Sequence, residues 1–298
     1  MRMPLSQKGR LVAGFESVWV DLQGVPFSQG YLNAGGVRTR YLHAGDRDKP
    51  ALVLLHGSGG HAEAYVRNLE SHAEHFSTWS MDMLGHGYTD KPGHPLEIRH
   101  YVEHLRAFLD AIGAQRAHLS GESLGGWVVS RFAVDHPDRL DRLVLNTAGG
   151  SQADPEVMKR IITLSMAAAE NPSWETVQAR IKWLMADKSK DYDDIVASRR
   201  RVYRQPGFVG AMRDIMALQD PEIRQRNLLG PADYGAISAP TLVLWTSDDP
   251  TADVGEGRRI AQMIPGARFE VMAGCGHWPQ YEDPKTFNRL HIDFLLGR

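Results

Sequence analysis

The sequence has a single cysteine, Cys275, so the chain has no second thiol with which to form an internal disulfide. It also lacks any run of about 18 apolar residues, and no membrane-spanning helix is expected. The opening stretch MRMPLSQKGRLVAGFESVW contains no apolar core of the kind that a signal peptide needs. These absences together predict a protein of a reducing, cytoplasmic compartment.

Neither sign of charge is in large excess, because 34 Lys and Arg stand against 36 Asp and Glu and the net charge is −2. Nucleic-acid binding needs a concentrated basic surface, and the one dense basic run here is the short stretch 199–201. We therefore expect no nucleic-acid or membrane partner. The 42% hydrophobic and 23% charged composition is typical of an ordinary globular protein.

Short apolar runs alternate with longer stretches of helical periodicity, which predicts an α/β fold with a mostly parallel, twisted sheet and flanking helices. The Gly-Gly pair within residues 30–45 predicts an antiparallel hairpin that leads into the sheet. The predicted strands are 51–56, 76–82, 117–122, 140–147, 240–246 and 267–273, and the predicted helices are 62–73, 100–114, 124–136, 256–264 and 283–296.

The alternation stops after Gly150 and resumes at Pro240, which is far longer than a strand-to-strand crossover requires. The intervening pattern is mostly helical. We therefore predict a core of residues 1–150 and 236–298, with residues 151–235 inserted as a helical cap. Because ligands in open α/β sheets bind outside the carboxyl ends of the strands, this cap is expected to roof a pocket.

The stretch GESLGGW places Ser123 between two glycines, directly after a predicted strand and directly before a predicted helix. A nucleophile on a sharp strand-to-helix turn needs small neighbours, and Gly121 and Gly125 provide them. A serine hydroxyl is a weak nucleophile near neutral pH, so it requires a base and a carboxylate that orients the base. Ser123 is therefore the predicted nucleophile.

Chain order selects the base and the acid, since in this architecture the serine is followed by the acid and then by the histidine. His277 lies in a loop after the last predicted strand, and the SDDP loop offers Asp249, with Asp248 as the alternative. The oxyanion formed during attack needs N–H donors. We expect one from Leu124 and the other from Ser58 or Gly59 in the HGSGG stretch.

With LLHGSGG, DMLGHGYTDKP, GESLGGW, WTSDDP and CGHWPQYED in this order, the chain resembles the α/β-hydrolases over nearly its whole length. Within that superfamily it is most similar to the meta-cleavage product hydrolases, which split a carbon–carbon bond in 2-hydroxy-6-oxo-dienoates from aromatic degradation. The resemblance implies a serine hydrolase without a cofactor or metal. Relatives of this kind also suggest a homodimer or a larger homo-oligomer.

The resemblance further implies three substrate-binding residues. Arg199, in the DDIVASRRRVYRQP stretch, matches the family arginine that contacts the substrate carboxylate, although basic runs are also common on solvated helix faces. Trp278 follows the predicted base. Glu122 stands where the family usually has asparagine, so it either repels an anionic substrate, is neutralised by protonation or by an arginine, or turns into the cap interface.

Two other functions remain open from the sequence alone. A carboxylesterase or lactonase would use the same nucleophile, base and oxyanion donors on a C–O bond. A ligand-binding protein that retains the fold would bind without turnover. Enzymes of this superfamily that open epoxides or remove halogens use aspartate in place of Ser123, and the sequence does not support those chemistries.

Overall fold

The computed structural model describes residues 17–152, 154–190 and 192–298. The opening stretch MRMPLSQKGRLVAGFESVW, in which no signal peptide is predicted, lies mostly outside this range, because residues 1–16 are not among the described residues. Among the described residues no helix combines the length and the apolar character that crossing a membrane demands.

The described strands form one sheet in the order β1-β2-β4-β3-β5-β6-β7-β8. The pairs β1–β2 and β2–β4 are antiparallel, and the other neighbours are parallel, as the apolar runs predict. The strands are β1 Phe27–Ala34, β2 Val37–Ala44, β3 Ala51–Leu55, β4 Ser77–Met81, β5 Ala117–Glu122, β6 Leu140–Asn146, β7 Thr241–Thr246 and β8 Arg268–Met272.

The α-helices of the described residues are α1 Val66–Ala73, α2 Ile98–Ala111, α3 Leu124–Asp135, α4 Pro155–Glu170, α5 Trp174–Leu184, α6 Asp193–Tyr203, α7 Phe208–Met216, α8 Pro221–Asn227, α9 Pro231–Gly235, α10 Val254–Met263, α11 Pro279–Glu282 and α12 Pro284–Leu295. Short 3₁₀ helices occupy Val20–Leu22, Ala62–Tyr65, Pro137–Arg139 and Ala217–Gln219. The part of the chain between β6 and β7 is helical, and its described residues contain no strand.

Alternation along the central strands explains how the sheet is covered on both faces. Val53 and Leu55 of β3 belong to a core with Phe108 of α2, whereas Leu52 of β3 belongs to a second core with Phe287 of α12. Because successive side chains of a strand point to opposite faces, a continuous apolar run fills both layers. The predicted α/β class, with a mostly parallel sheet and flanking helices, is confirmed.

Two local features of the fold follow from the residues of a hairpin turn and from the N-terminal capping of a helix. Gly35 and Gly36 join β1 to β2 with φ values of 62° and 97°, the left-handed backbone that a two-residue hairpin loop requires. At the C-terminal end, Asp283 accepts a hydrogen bond from the Thr286 N–H and Pro284 starts α12. The helix predicted over residues 283–296 therefore begins at Pro284 in the structure, one residue later than predicted. A separate short helix, α11, precedes it.

Candidate active site

Ser123 lies on the turn between β5 and α3 with φ 54° and ψ −114°. This backbone region is unfavourable for a residue with a Cβ and costs on the order of 1–3 kcal/mol. Hydrogen bonds hold the turn, since the Ser123 N–H donates to the Asn146 carbonyl and the Ser123 carbonyl accepts from the Gly149 N–H. The strained turn presents Ser123 in a pocket that His277 also lines.

The glycines around Ser123 are required because backbones approach closely there. A Cβ on Gly121 would lie 2.2 Å from the carbonyl carbon of Gly125, and a Cβ on Gly125 would lie 2.3 Å from the Leu55 carbonyl oxygen. Both distances are far below van der Waals contact. The Gly-x-Ser-x-Gly pattern is therefore explained by helix α3 packing directly against strands β3 and β5.

His277 and Asp249 are brought together from two loops at the carboxyl edge of the sheet. His277 Nδ1 lies 2.7 Å from Asp249 Oδ2, and both side chains are buried. The other carboxylate oxygen of Asp249 accepts hydrogen bonds from the Thr251 N–H at 2.8 Å and hydroxyl at 2.7 Å. Asp248, the alternative acid, is exposed, and among the described residues its carboxylate accepts a hydrogen bond only from the hydroxyl of its neighbour Ser247.

The pKa of His277 is raised above its ordinary value. Burial by itself would lower this pKa, but the charge of Asp249 and its hydrogen bond to the ring outweigh that effect. Thr147 also holds the loop, because its hydroxyl donates to the His277 carbonyl at 3.0 Å. The arrangement favours an imidazole that takes up a proton readily and stays in one orientation.

Glu122 is the unusual group of this site. It is 1% exposed, and its Oε1 lies 3.2 Å from His277 Nε2, the ring nitrogen opposite the Asp249 contact. Neither carboxylate oxygen has a partner in hydrogen-bond geometry among the described residues. Burial raises the pKa of Glu122, against the opposing charges of His277 and Arg199. The Glu122 side chain therefore points toward the base, an arrangement that was not among the alternatives raised by the sequence.

The predicted oxyanion donors are placed differently. Leu124 begins α3 and lines the pocket together with Ser58. Gly59 is buried beside α6, where its carbonyl accepts a hydrogen bond from the Tyr203 hydroxyl at 2.8 Å. Helix α6 thus anchors the HGSGG loop, and Ser58 is the member of the predicted pair that lines the pocket. His56 is buried beneath this loop, where its Nδ1 contacts the Gly57 carbonyl.

Arg199 is 1% exposed, so the interpretation of residues 199–201 as a solvated helix face is wrong at this position. Its guanidinium carbon lies 4.7 Å from the centre of the Trp278 ring, which lines the pocket. Nε and Nη2 of Arg199 have no hydrogen-bond partner among the described residues. Arg201 of the same run is exposed, because it lies off the buried face of α6, which Arg199 shares with Ile195, Val196, Val202 and Tyr203.

Sequence reasoning missed a second arginine, Arg180 on α5, which lines the same pocket and is 4% exposed. Its Nε bonds to the Ser165 hydroxyl at 3.1 Å, while Nη1 has no partner among the described residues. A signal was available, because Arg180 shares the apolar face of the helix with Val177 and Leu184. A charge on an apolar face is unusual unless it serves a buried partner or ligand.

The pocket is elongated along α4. Met158 and Ile161 line its apolar middle, and Ser165, one turn further on, contacts Arg180. Asp154, which precedes the helix, lines the pocket at the opposite end. With a rise of about 1.5 Å per residue, these two ends are roughly 16 Å apart. The pocket therefore has a cationic end at Arg180, an apolar middle and, around Asp154, an end where acidic and basic side chains lie together.

Comparisons with known proteins agree with this geometry. The family model described as alpha/beta hydrolase fold matches residues 50–284. The chain is 31% identical over 274 residues to 2-hydroxy-6-oxo-6-phenylhexa-2,4-dienoate hydrolase of Comamonas testosteroni, covering 87% of this chain and 91% of that one. It is also 31% identical over 283 residues to 2-hydroxy-6-oxononadienedioate/2-hydroxy-6-oxononatrienedioate hydrolase of Paraburkholderia phymatum, covering 89% and 94%.

Among solved structures, the meta-cleavage product hydrolase of Pseudomonas fluorescens IP01 superposes with a TM-score of 0.78 at 26% identity, covering 92% of this chain and 98% of that one. The chain therefore belongs to the α/β-hydrolase family and is a hydrolase. These three relatives are, more narrowly, meta-cleavage product hydrolases, as the sequence motifs predict.

Proposed function

We propose that this enzyme hydrolyses the carbon–carbon bond next to the C6 carbonyl of a 2-hydroxy-6-oxo-dienoate. The observation that carries the proposal is the buried guanidinium of Arg199, which lies over the ring of Trp278, the neighbour of His277, and whose Nε and Nη2 have no hydrogen-bond partner among the described residues. A guanidinium fork is suited to a carboxylate, and the relatives at 31% identity are named for dienoate substrates.

The residues divide the reaction between them. The dienol first ketonises: the 2-hydroxyl loses its proton, C5 gains one, and C5 becomes able to leave as a stabilised carbanion equivalent. Ser123 then attacks C6 while His277 accepts the serine proton, and Asp249 stabilises the imidazolium that results. The N–H groups of Leu124 and Ser58 hold the oxyanion, with Gly59 as the alternative donor.

When the C5–C6 bond breaks, the electron pair enters a dienolate that extends from C5 to the C2 oxygen, His277 returns its proton to that dienolate, and an acyl group stays on Ser123. His277 then activates a water molecule, which releases that acyl group as a carboxylic acid. The products are that acid and a 2-hydroxypentadienoate. No redox partner is needed, since one water is consumed for each bond broken. We further propose that residues 151–235 act as the cap that closes this pocket, because α4 and α5 line it.

The relatives are named for two kinds of side group on C6, a phenyl group and a second carboxylate. At the Asp154 end of the pocket Glu256 is ion-paired with Arg259, and the nitrogens of Arg224 are bonded within the protein, so this end offers a second carboxylate little to bind. Met158 and Ile161 in the middle suit a neutral group instead. Because charges near the surface are screened, this preference is expected to be moderate. We propose a neutral, aryl or alkyl, substituent on C6.

The test follows the absorbance of dienoates that carry a 6-phenyl group or a second carboxylate, beside a neutral nitrophenyl ester. Wild-type protein is expected to bleach the 6-phenyl dienoate fastest, and Ser123→Ala is expected to abolish turnover of all three. Turnover of the ester alone would instead favour a carboxylesterase or lactonase. Saturable binding without turnover would favour a ligand-binding protein.

Arg199→Met is the accompanying variant, because methionine keeps most of the volume but removes the charge. Loss of a charged hydrogen bond predicts a fall in kcat/KM of about 10- to 100-fold for the dienoate. The ester carries no carboxylate and should lose less than about 3-fold by the same reasoning. Equal losses on both substrates would remove the recognition role of Arg199.

A further inference from the structure

We propose that Arg180 and Arg199 together form a single anion site that recognises a carboxylate and the oxygen on the adjacent carbon, the 2-oxo-acid or 2-hydroxy-acid end of a substrate. The inference rests on the proposed function for its substrate, but it concerns a residue that neither the motifs nor the names of the relatives indicate. It assigns to Arg180 a part in specificity that a simple ester could not use.

Both side chains are buried, Arg180 in the wall of the pocket and Arg199 behind the ring of Trp278. Arg180 is 4% exposed and lines the pocket with Glu122 and His277. Arg199 is 1% exposed and lies over Trp278, which lines that pocket too. The two arginines come from different helices, α5 and α6, which pack against each other. Their convergence is therefore a property of the tertiary structure.

Several nitrogens of the two guanidinium groups lack a hydrogen-bond partner among the described residues. Arg180 Nη1 and Arg199 Nε and Nη2 have no partner among the described residues, and no carboxylate there lies within ion-pair distance of either guanidinium. Buried guanidinium nitrogens without acceptors are costly. Three donors match the three oxygens of a 2-oxo-acid, two on the carboxylate and one on C2.

Electrostatics supports this arrangement. Burial lowers the pKa of Arg180 to about 10, and the charge of Arg199 adds to this effect; burial also lowers the pKa of Arg199. The negative charge of Glu122 acts on both arginines and partly offsets the burial. Arg180 also opposes protonation of His277, which puts it on the side of the pocket where the base works.

A third arginine provides a matched comparison. Arg224 also lines the pocket, but its Nε and Nη2 donate to the Gln152 carbonyl, and its Nη1 donates to the Leu218 carbonyl and the Gln219 side chain. All of its nitrogens therefore have partners within the protein. An anion gains little from a guanidinium whose donors are already used, so Arg224 is expected to contribute little to binding.

Binding of two small acids separates the roles of the arginines without any turnover. 2-Oxopentanoate carries the C2 oxygen and pentanoate lacks it, and both can be titrated calorimetrically into wild-type protein and into R180M, R199M and R224M. We expect R199M to weaken both acids by about 10- to 100-fold. We expect R180M to weaken 2-oxopentanoate by about 10-fold or more and pentanoate by less than about 3-fold.

R224M should leave both affinities within about 2-fold of wild type, and a thermal melt of each variant checks that it is folded. An equal loss on the two acids in R180M would overturn the proposal, as would no loss on either. Arg180→Lys, which keeps the charge but not the fork, should recover less than half of the lost binding free energy. Full recovery would mean that charge alone is recognised, contrary to the proposal.

This result is separable from the outcome for the proposed function. If wild-type protein hydrolyses no dienoate yet binds 2-oxopentanoate more tightly than pentanoate, the anion site stands and the proposed reaction fails. If it hydrolyses dienoates but binds the two acids equally, the reaction stands and the role of Arg180 in recognising the C2 oxygen fails.

Discussion

Replacing Asp249 by asparagine tests the link between geometry and rate most directly. The Asp249 carboxylate lies 2.7 Å from His277 Nδ1 with its side chain fully buried. Taking the charge centres as about 4 Å apart and an effective dielectric of about 20, the carboxylate stabilises the imidazolium by about 4 kcal/mol. Losing that interaction as the proton is transferred would slow the reaction by about 10³-fold.

Hydrogen bonding is expected to lower the activity of Asp249→Asn further than the loss of the carboxylate charge alone would. In the native structure one oxygen of Asp249 accepts from both the N–H and the hydroxyl of Thr251. A backbone N–H can only donate, so the amide oxygen of Asp249→Asn would take this position and its NH₂ would face His277 Nδ1. The ring would then carry its proton on Nε2, where it cannot accept one from Ser123. We expect a loss in kcat of about 10³- to 10⁴-fold.

The assay is serine-dependent turnover of the best substrate from the panel, measured against pH. Since the neutral imidazole is the active form, activity falls as pH drops through the pKa of His277, and Asp249 raises that pKa. The acid limb of kcat/KM should therefore move to lower pH in Asp249→Asn. Asp248→Asn is the control and should stay within about 2-fold, because an exposed side chain on a neighbouring hydroxyl contributes little.

Two results would refute this reasoning. Retention of more than about a tenth of the activity in a folded Asp249→Asn would mean that the carboxylate does not support His277 during proton transfer. Equal losses in Asp248→Asn and Asp249→Asn would mean that the loop, and not the buried ion pair, determines the rate. A thermal melt of both variants separates either outcome from unfolding.

The remaining predictions concern stability. Gly125→Ala should lose at least about 1–3 kcal/mol in urea unfolding, because its Cβ would meet the Leu55 carbonyl oxygen at 2.3 Å. Gly210→Ala, a helix position with nothing within 4 Å of the new Cβ, should gain about 0.5–1 kcal/mol in the same assay; a loss there would contradict the packing. Burial lowers the pKa of His104 to about 4, and its Nδ1 accepts from the Leu84 N–H. The unfolded chain takes up this proton near pH 6.5, so the contribution of His104 is fully present above that pH and is lost as pH falls toward 4. Between pH 7.5 and 4.5, the free energy of unfolding should therefore fall by about 2–3 kcal/mol less in His104→Gln than in wild type. An identical pH dependence of the two proteins would show that the ring takes up its proton in the folded state as readily as in the unfolded chain.

Local patterns were sufficient to predict the strands, the main helices that flank the sheet, and the candidate residues Ser123, Asp249 and His277. Apolar runs indicate strands that are buried on both faces of a sheet, and glycines around a serine indicate a close approach of backbones. Both patterns can be recognised in the sequence before the fold is known. The choice between Asp248 and Asp249 needed the structure. Two adjacent carboxylates have the same local chemistry, and only the position of the His277 loop distinguishes the buried one.

The cationic end of the pocket lay beyond what the sequence could predict. Arg180 and Arg199 lie on separate helices of a segment whose helical periodicity shows neither which helices pack together nor which face meets the sheet. Likewise, the approach of Glu122 to His277 Nε2 joins residues that are distant in the chain. The sequence by itself determined the fold class, the candidate nucleophile and the candidates for its partners, because those depend on local spacing. The tertiary structure alone decided which buried charges share the pocket, because that depends on long-range packing of α5 and α6 over the sheet.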